Sequence, residues 1–116
     1  MDLYAIYLVS DSVGETADVV IRSALYQFET ENYQLKKYSY VQTTEEIDDI
    51  CAKASEEGKA MIFYTFVKKE MADHMKGQIE KSGLIGVDIY SPILTGLGQL
   101  FQLPAKEKPG MNRQLN

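Results

Sequence analysis

Leu3-Tyr4-Ala5-Ile6-Tyr7-Leu8-Val9, followed at once by Ser10-Asp11-Ser12-Val13-Gly14-Glu15-Thr16, decides the fold of this chain. The first seven residues form an uninterrupted apolar run, which is typical of a strand covered on both faces. The next seven are mostly polar or small, and apolar residues then recur at helical spacing from Ala17 to Phe28. The stretch therefore predicts a buried strand, a polar loop and a helix that packs back on the strand.

The same alternation of strand and helix continues along the chain. Further strands are predicted at Leu35 to Val41, Ala60 to Phe66 and Gly86 to Tyr90. Further helices are predicted after Thr43 as far as Gly58, from about Lys69 to Lys81, and from an N-cap at Ser91 onward. An order of βαβαβαβα requires crossover connections and parallel strands. We therefore expect an α/β three-layer sandwich with a four-stranded parallel sheet, flavodoxin-like or Rossmann-like in order.

Composition bounds the class of protein. A chain of 116 residues with 45% hydrophobic content fits one domain, expected over residues 1–103, followed by a linker over 104–116 that leads toward a second domain. The formal net charge of -5 argues against nucleic acid or an anionic membrane as partner. A sole cysteine, Cys51, and a sole histidine, His74, predict neither a disulfide nor a metal site. Without a secretory signal or a membrane-spanning run, the sequence favours a cytoplasmic protein.

The loop after the first strand holds the candidate binding residues. A loop that opens a helix directly after a strand presents free backbone N–H groups and the positive end of the helix dipole, an arrangement that favours phosphate. Because the carboxyl ends of parallel strands share one edge, the end of the third strand and the end of the fourth, at Tyr90, should lie beside it. The candidates for phosphate or nucleotide binding are Ser10, Ser12, Gly14, Glu15, Thr16 and Thr65.

Two of these assignments have a purely structural alternative. Ser12 and Glu15 match the S-x-x-E capping box, which stabilises a helix start without any ligand. Asp11 is a candidate catalytic residue that could orient a hydroxyl or a water, but an Asp in such a loop also commonly accepts hydrogen bonds from the loop backbone.

Three segments resemble one bacterial family, the regulatory proteins of phosphoenolpyruvate synthase and pyruvate, phosphate dikinase. They are Val9 to Ala17, Phe63 to Val67, and Val87 to Leu94. The tail, with Lys108-Pro109-Gly110 and Arg113-Gln114-Leu115-Asn116, is similar to the segment that leads into the family's catalytic half. The resemblance covers the whole chain.

The resemblance implies a bifunctional serine/threonine kinase and pyrophosphorylase. Such an enzyme phosphorylates a threonine of the dikinase or synthase with ADP as donor, and removes that phosphate with inorganic phosphate, releasing pyrophosphate. ADP or ATP and phosphate are the ligands expected of the full-length enzyme, and its protein substrate is the partner; a homodimer is among the assemblies that remain open. The family's P-loop lies in the later half, and no G-x-x-x-x-G-K-[ST] occurs here, so we expect no cofactor in this fragment and no activity from it alone.

Two other classes of protein remain alternatives. A flavodoxin holds the phosphate of flavin mononucleotide with T-G-x-T after its first strand, and Val13-Gly14-Glu15-Thr16 differs from that motif by one residue. A module without chemistry could instead dock the target or a second copy through its acidic surface. A yellow purified protein would indicate the first class, and a pull-down with the target would indicate the second.

Overall fold

The computed structural model describes residues 3–111, which form four strands and four helices in strict alternation. The elements are β1 (Tyr4–Ser10), α1 (Glu15–Leu25), β2 (Tyr33–Tyr38), α2 (Thr44–Glu57), β3 (Ala60–Thr65), α3 (Lys69–Ser82), β4 (Ile85–Asp88) and α4 (Tyr90–Phe101). All strands are parallel, in the order β2-β1-β3-β4. The predicted fold class, an α/β three-layer sandwich with a four-stranded parallel sheet, is confirmed.

The two faces of the sheet carry different helices because side chains alternate along each strand. Tyr7 and Val9 of β1 belong to the main core cluster, together with the buried residues of α2 and α3. Leu8 points to the opposite face, where Ala17 and Ile21 of α1 are also buried outside that cluster. Helix α1 connects β1 to β2 on one side, and α2 connects β2 to β3 on the other side of β1. The strand order therefore reverses between β1 and β3. Ligands of open α/β sheets bind at such a reversal.

Several element ends differ from those that the sequence predicts; β4, for example, spans Ile85–Asp88 rather than Gly86 to Tyr90. Strand β2 ends at Tyr38 rather than Val41, because Tyr40 adopts a positive φ of 57° that a strand cannot continue through. Helix α4 begins at Tyr90, so Ser91 is not its N-cap. Instead, the Ser91 amide donates to Oδ1 of Asp88 at 2.9 Å. The carboxylate of Asp88, at the end of β4, thus accepts a hydrogen bond from the first turn of α4.

The segment after α4 lies back against the domain. The amide of Leu103 donates to the carbonyl of Gly98, and Oε1 of Glu107 accepts from the amide of Lys69 at 2.8 Å. Residues 104–111 therefore pass the start of α3, whereas residues 112–116 of the predicted linker lie outside the described residues. Within residues 3–111, no helix has the length and apolarity needed to cross a membrane.

Cys51 is the packing residue that the sequence predicts. It is 2% exposed, and its Sγ lies 3.6 Å from Sδ of Met75 on α3. Burial raises the pKa of the Cys51 thiol to about 11, so the nucleophilic thiolate is scarce at neutral pH.

The close approach of α3 to β4 gives the first testable prediction. A Cβ added at Gly86 would lie 2.5 Å from Cδ1 and 3.0 Å from Cγ2 of Ile79, a buried residue of α3. We expect Gly86→Ala to lower the free energy of unfolding by about 1–3 kcal/mol through overpacking. Gly77→Ala, on α3, is the matched control. Nothing lies within 4 Å of its added Cβ, and this substitution should stabilise the fold by about 0.5–1 kcal/mol. Urea unfolding of both variants measures this, and a Gly86→Ala protein as stable as wild type would contradict the packing described.

Candidate functional site

The candidate site lies where β1 and β3 end side by side. Ser10 and Thr65 are register partners, and each is only 2% exposed. The amide of Asp11 continues the pairing by donating to the carbonyl of Thr65 at 3.4 Å. Two hydroxyl-bearing side chains are thus held rigidly at the carboxyl edge of the sheet, at the reversal of strand order.

Helix α1 starts at this edge without a capping box. Its N-cap is Gly14, whose φ of 90° suits glycine and whose lack of a side chain leaves the cap without an acceptor. The capping-box alternative for Ser12 and Glu15 is therefore wrong. The hydroxyl of Ser10 accepts from the Ser12 amide at 3.0 Å, and the two hydroxyl oxygens lie 3.4 Å apart.

Helix α2, unlike α1, begins with a capping box. There the hydroxyl of Thr43 accepts from the amide of Glu46 at 3.2 Å, and the Glu46 carboxylate accepts from the Thr43 amide at 3.1 Å. The first amides of any α-helix lack an intrahelical acceptor. The chain supplies side-chain acceptors for them at α2, whereas the N-cap of α1 is a glycine with no side chain that could accept.

Six predicted binding residues line one small cavity at this point. They are Ser10, Ser12, Gly14, Glu15, Thr16 and Thr65. Val13 and Tyr90 complete the lining, and none of the eight residues is a lysine or arginine. The cavity measures only about 10 Å³, which is about enough for a single water.

Tyr90 lines the cavity but was not among the predicted binding residues, although the end of the fourth strand was expected at this edge. Its phenol donates to Oγ1 of Thr16 at 3.4 Å, so the first residue of α4 contacts the first turn of α1. Because the cavity holds about one water, a phosphate-sized anion requires its lining, Tyr90 included, to move apart. The Tyr90–Thr16 contact joins residues 74 positions apart in the chain, and no local pattern signals it.

Asp11 does not line this small cavity. It is 7% exposed, and its Oδ2 accepts from the amide of Val67 at 2.9 Å. Burial raises the pKa of the Asp11 carboxyl, while hydrogen bonds from the backbone of Val67, Asp11 and Lys68 act in the opposite direction. Asp11 thus ties the loop after β1 to the loop before α3, rather than to its own loop alone, and a catalytic role for it stays a prediction.

A segment that sequence reasoning missed holds the loop from the other side. The hydroxyl of Ser39 donates to the Val13 carbonyl at 2.6 Å. The amides of Tyr40 and Val41 donate to the carbonyls of Ser12 and Ser10, each at 2.9 Å. These three bonds, from residues 39–41, fix the backbone of the candidate loop. Ser12, whose carbonyl accepts one of these bonds, lines both the small cavity and a larger cleft of about 550 Å³, which Asp11 also lines.

Comparison with known proteins connects this geometry to a family. A family model described as kinase/pyrophosphorylase matches residues 6–116. Among curated relatives, a pyruvate, phosphate dikinase regulatory protein of Alkaliphilus metalliredigens is 33% identical over 111 residues, covering 96% of this chain and 40% of the relative. Proteins of the same name from Bacillus velezensis and Geobacillus kaustophilus are 35% and 33% identical, with all of this chain and 43% of each relative covered. The chain spans about two fifths of the length of these relatives.

The buried Asp11 gives a prediction about pH. Because burial raises its pKa above the ordinary value of 3.8, the folded protein binds this proton more tightly than the unfolded chain does. The contribution of Asp11 to stability therefore falls as the pH rises from 3.8 through the raised pKa, and this loss is absent in Asp11→Asn, which keeps an oxygen acceptor for Val67. We expect the stability of Asp11→Asn relative to wild type to increase across that window in urea unfolding.

Asp18→Asn is the control with the opposite sign. Arg22 and Lys37 lower the pKa of Asp18. The stability of wild type relative to Asp18→Asn should therefore increase as the pH rises through the lowered pKa toward 3.8. The same slope for both variants would contradict the different environments of the two carboxyls.

Proposed function

The chain belongs to the kinase/pyrophosphorylase family, and we propose that it is the amino-terminal α/β domain of a bifunctional enzyme that regulates pyruvate, phosphate dikinase or phosphoenolpyruvate synthase. The match over residues 6–116 carries this proposal, because it includes β1 from Ile6 onward, the loop after it, the other three strands and the tail. The names of the curated relatives support the dikinase as the regulated partner. The family match also favours this function over the flavodoxin and docking-module alternatives.

The proposed activity is a reversible phosphorylation of a threonine on the partner. In the phosphorylation, the threonine hydroxyl gives up its proton as its oxygen forms a bond to the β-phosphorus of ADP, the bridging P–O bond breaks, and AMP leaves. In the dephosphorylation, which is a different reaction, an oxygen of inorganic phosphate forms a bond to the phosphothreonine phosphorus and the P–O bond to threonine breaks. The threonine oxygen takes up a proton, and pyrophosphate is the product. Both directions move a phosphoryl group with several charged oxygens, so a binding site for them must supply hydrogen-bond donors.

The start of α1 is the proposed phosphate-binding element of this domain. Backbone amides, the helix dipole and the hydroxyls of Ser10, Ser12, Thr16 and Thr65 surround the small cavity. Without a lysine or arginine in the lining, this cradle is electrically neutral apart from Glu15 and holds an anion loosely. Entry of the anion displaces the Tyr90 phenol from Thr16, which couples occupancy to the position of α4.

Titration with inorganic phosphate tests this element. In ¹⁵N-labelled protein, we expect saturable shifts of the amide signals of Gly14 to Thr16 and of Tyr90. Thr16→Val removes one hydroxyl with little change in volume and should weaken phosphate binding several-fold. Ser23→Ala on the exposed side of α1 is the control and should bind as wild type does. If saturating phosphate and ADP leave Gly14 to Thr16 unshifted, this element is not a phosphate site.

An activity assay tests whether this domain alone catalyses phosphoryl transfer or whether the rest of the proposed enzyme is required. The 116 residues contain no G-x-x-x-x-G-K-[ST] sequence, which supplies the amides and the lysine that stabilise a transferred phosphoryl group. We expect the 116-residue chain to transfer no phosphate from ADP to the dikinase and to release no pyrophosphate from the phosphorylated dikinase. Either product, measured with radiolabelled phosphate at stoichiometric protein, would contradict this division.

A further inference from the structure

The larger cleft at the carboxyl edge has the size of a small-molecule site. It measures about 550 Å³, within the range of roughly 300–1,000 Å³ that is common for ligand pockets. It lies at the reversal of strand order, on the opposite side of Asp11 and Ser12 from the small cavity. A cavity of about 540 Å³ beside Glu29 to Tyr33 lies at the amino edge instead, where parallel sheets do not bind ligands.

Tyr40 stands at the rim of this cleft in a strained conformation. Its φ of 57° is in the left-handed region, which a bulky side chain rarely adopts. The residue is 59% exposed, so burial of the ring does not offset this strain. Its amide is held by the Ser12 carbonyl, and the next residue, Val41, is 2% exposed. Tyr40 therefore gives the cleft lining a largely exposed aromatic side chain, and strain of this kind concentrates at functional sites.

The remaining lining complements a flat ring that carries an anion. Met71 and Pro109 give apolar surface, and Gln42 and Ser12 give hydrogen-bonding groups. Lys68, at the N-cap of α3, is the one cationic residue that lines the cleft within residues 3–111. Asp11 also lines it, but its Oδ2 already accepts from the Val67 amide.

We propose that this cleft binds a nucleoside phosphate, with the base stacked on Tyr40 and the phosphate held by Lys68. An aromatic ring supplies a stacking surface for any base, and a lysine supplies the charge that a phosphate requires. The cleft volume admits the base and the sugar, which the small cavity beside α1 cannot. This site shares Ser12 with the phosphate-binding element at the start of α1, but Tyr40 and Lys68, which carry the proposal, do not line that element.

Titration of the 116-residue chain with AMP, adenosine and inorganic phosphate tests the site. We expect AMP to shift the amides of Tyr40, Gln42 and Lys68 saturably, and adenosine and phosphate to bind there at least tenfold more weakly. Tyr40→Gly should weaken AMP binding about tenfold through the loss of stacking. Lys68→Gln should weaken AMP binding and leave adenosine binding unchanged.

Two controls separate a lost ligand contact from a damaged fold. Tyr40→Gly places the residue that prefers a positive φ at this position, so its melting temperature should not fall below that of wild type. Gln102→Gly makes the same backbone change at the end of α4, where φ is 56°, and should leave AMP binding unchanged.

Two results would overturn the site. AMP shifts confined to Gly14 to Thr16 would leave the proposed function standing and remove the cleft from it. Equal AMP affinity of wild type and Tyr40→Gly would show that the ring does not contact the base.

Discussion

The bond between the Asp11 carboxylate and the Val67 amide is the constraint on which the carboxyl edge depends. It joins the loops that follow the two central strands, at the place where the strand order reverses. A buried carboxylate is costly unless backbone donors compensate it, so the two loops are held in one arrangement. Ser10 and Thr65, one residue back on each strand, are aligned by the sheet register itself.

The loop after β1 lines two unlike depressions at the carboxyl edge of the sheet. On the α1 side, hydroxyls surround a nearly filled cavity that Tyr90 also lines. On the α2 and α3 side, Tyr40 and Lys68 flank an open cleft. The first suits a small anion, and the second suits a larger ligand with a ring and a charge. The two binding sites that we propose thus lie on one edge of the sheet, and Tyr90 lines the first whereas Tyr40 lines the second.

Local patterns in the sequence predicted the elements and much of the site, because apolar periodicity reflects the faces that must be buried. They failed where a contact from elsewhere changed the local preference. Ser12 matches a capping residue, yet its amide is bound by Ser10 and its carbonyl by Tyr40, which leaves Gly14 as the N-cap of α1. Strand β2 has apolar residues as far as Val41, yet the turn at Tyr40 ends it.

The sequence alone determined the order of strands and helices, the parallel sheet that this order requires, and the hydroxyl-rich loop at its edge. These follow from periodicity and from the short reach of loops, both of which are local properties. Only the tertiary structure decided that Tyr90 contacts Thr16, that Asp11 binds the Val67 amide before α3, and that Tyr40 lines a cleft with Lys68. Such contacts join residues far apart in the chain, and packing of the whole domain selects them.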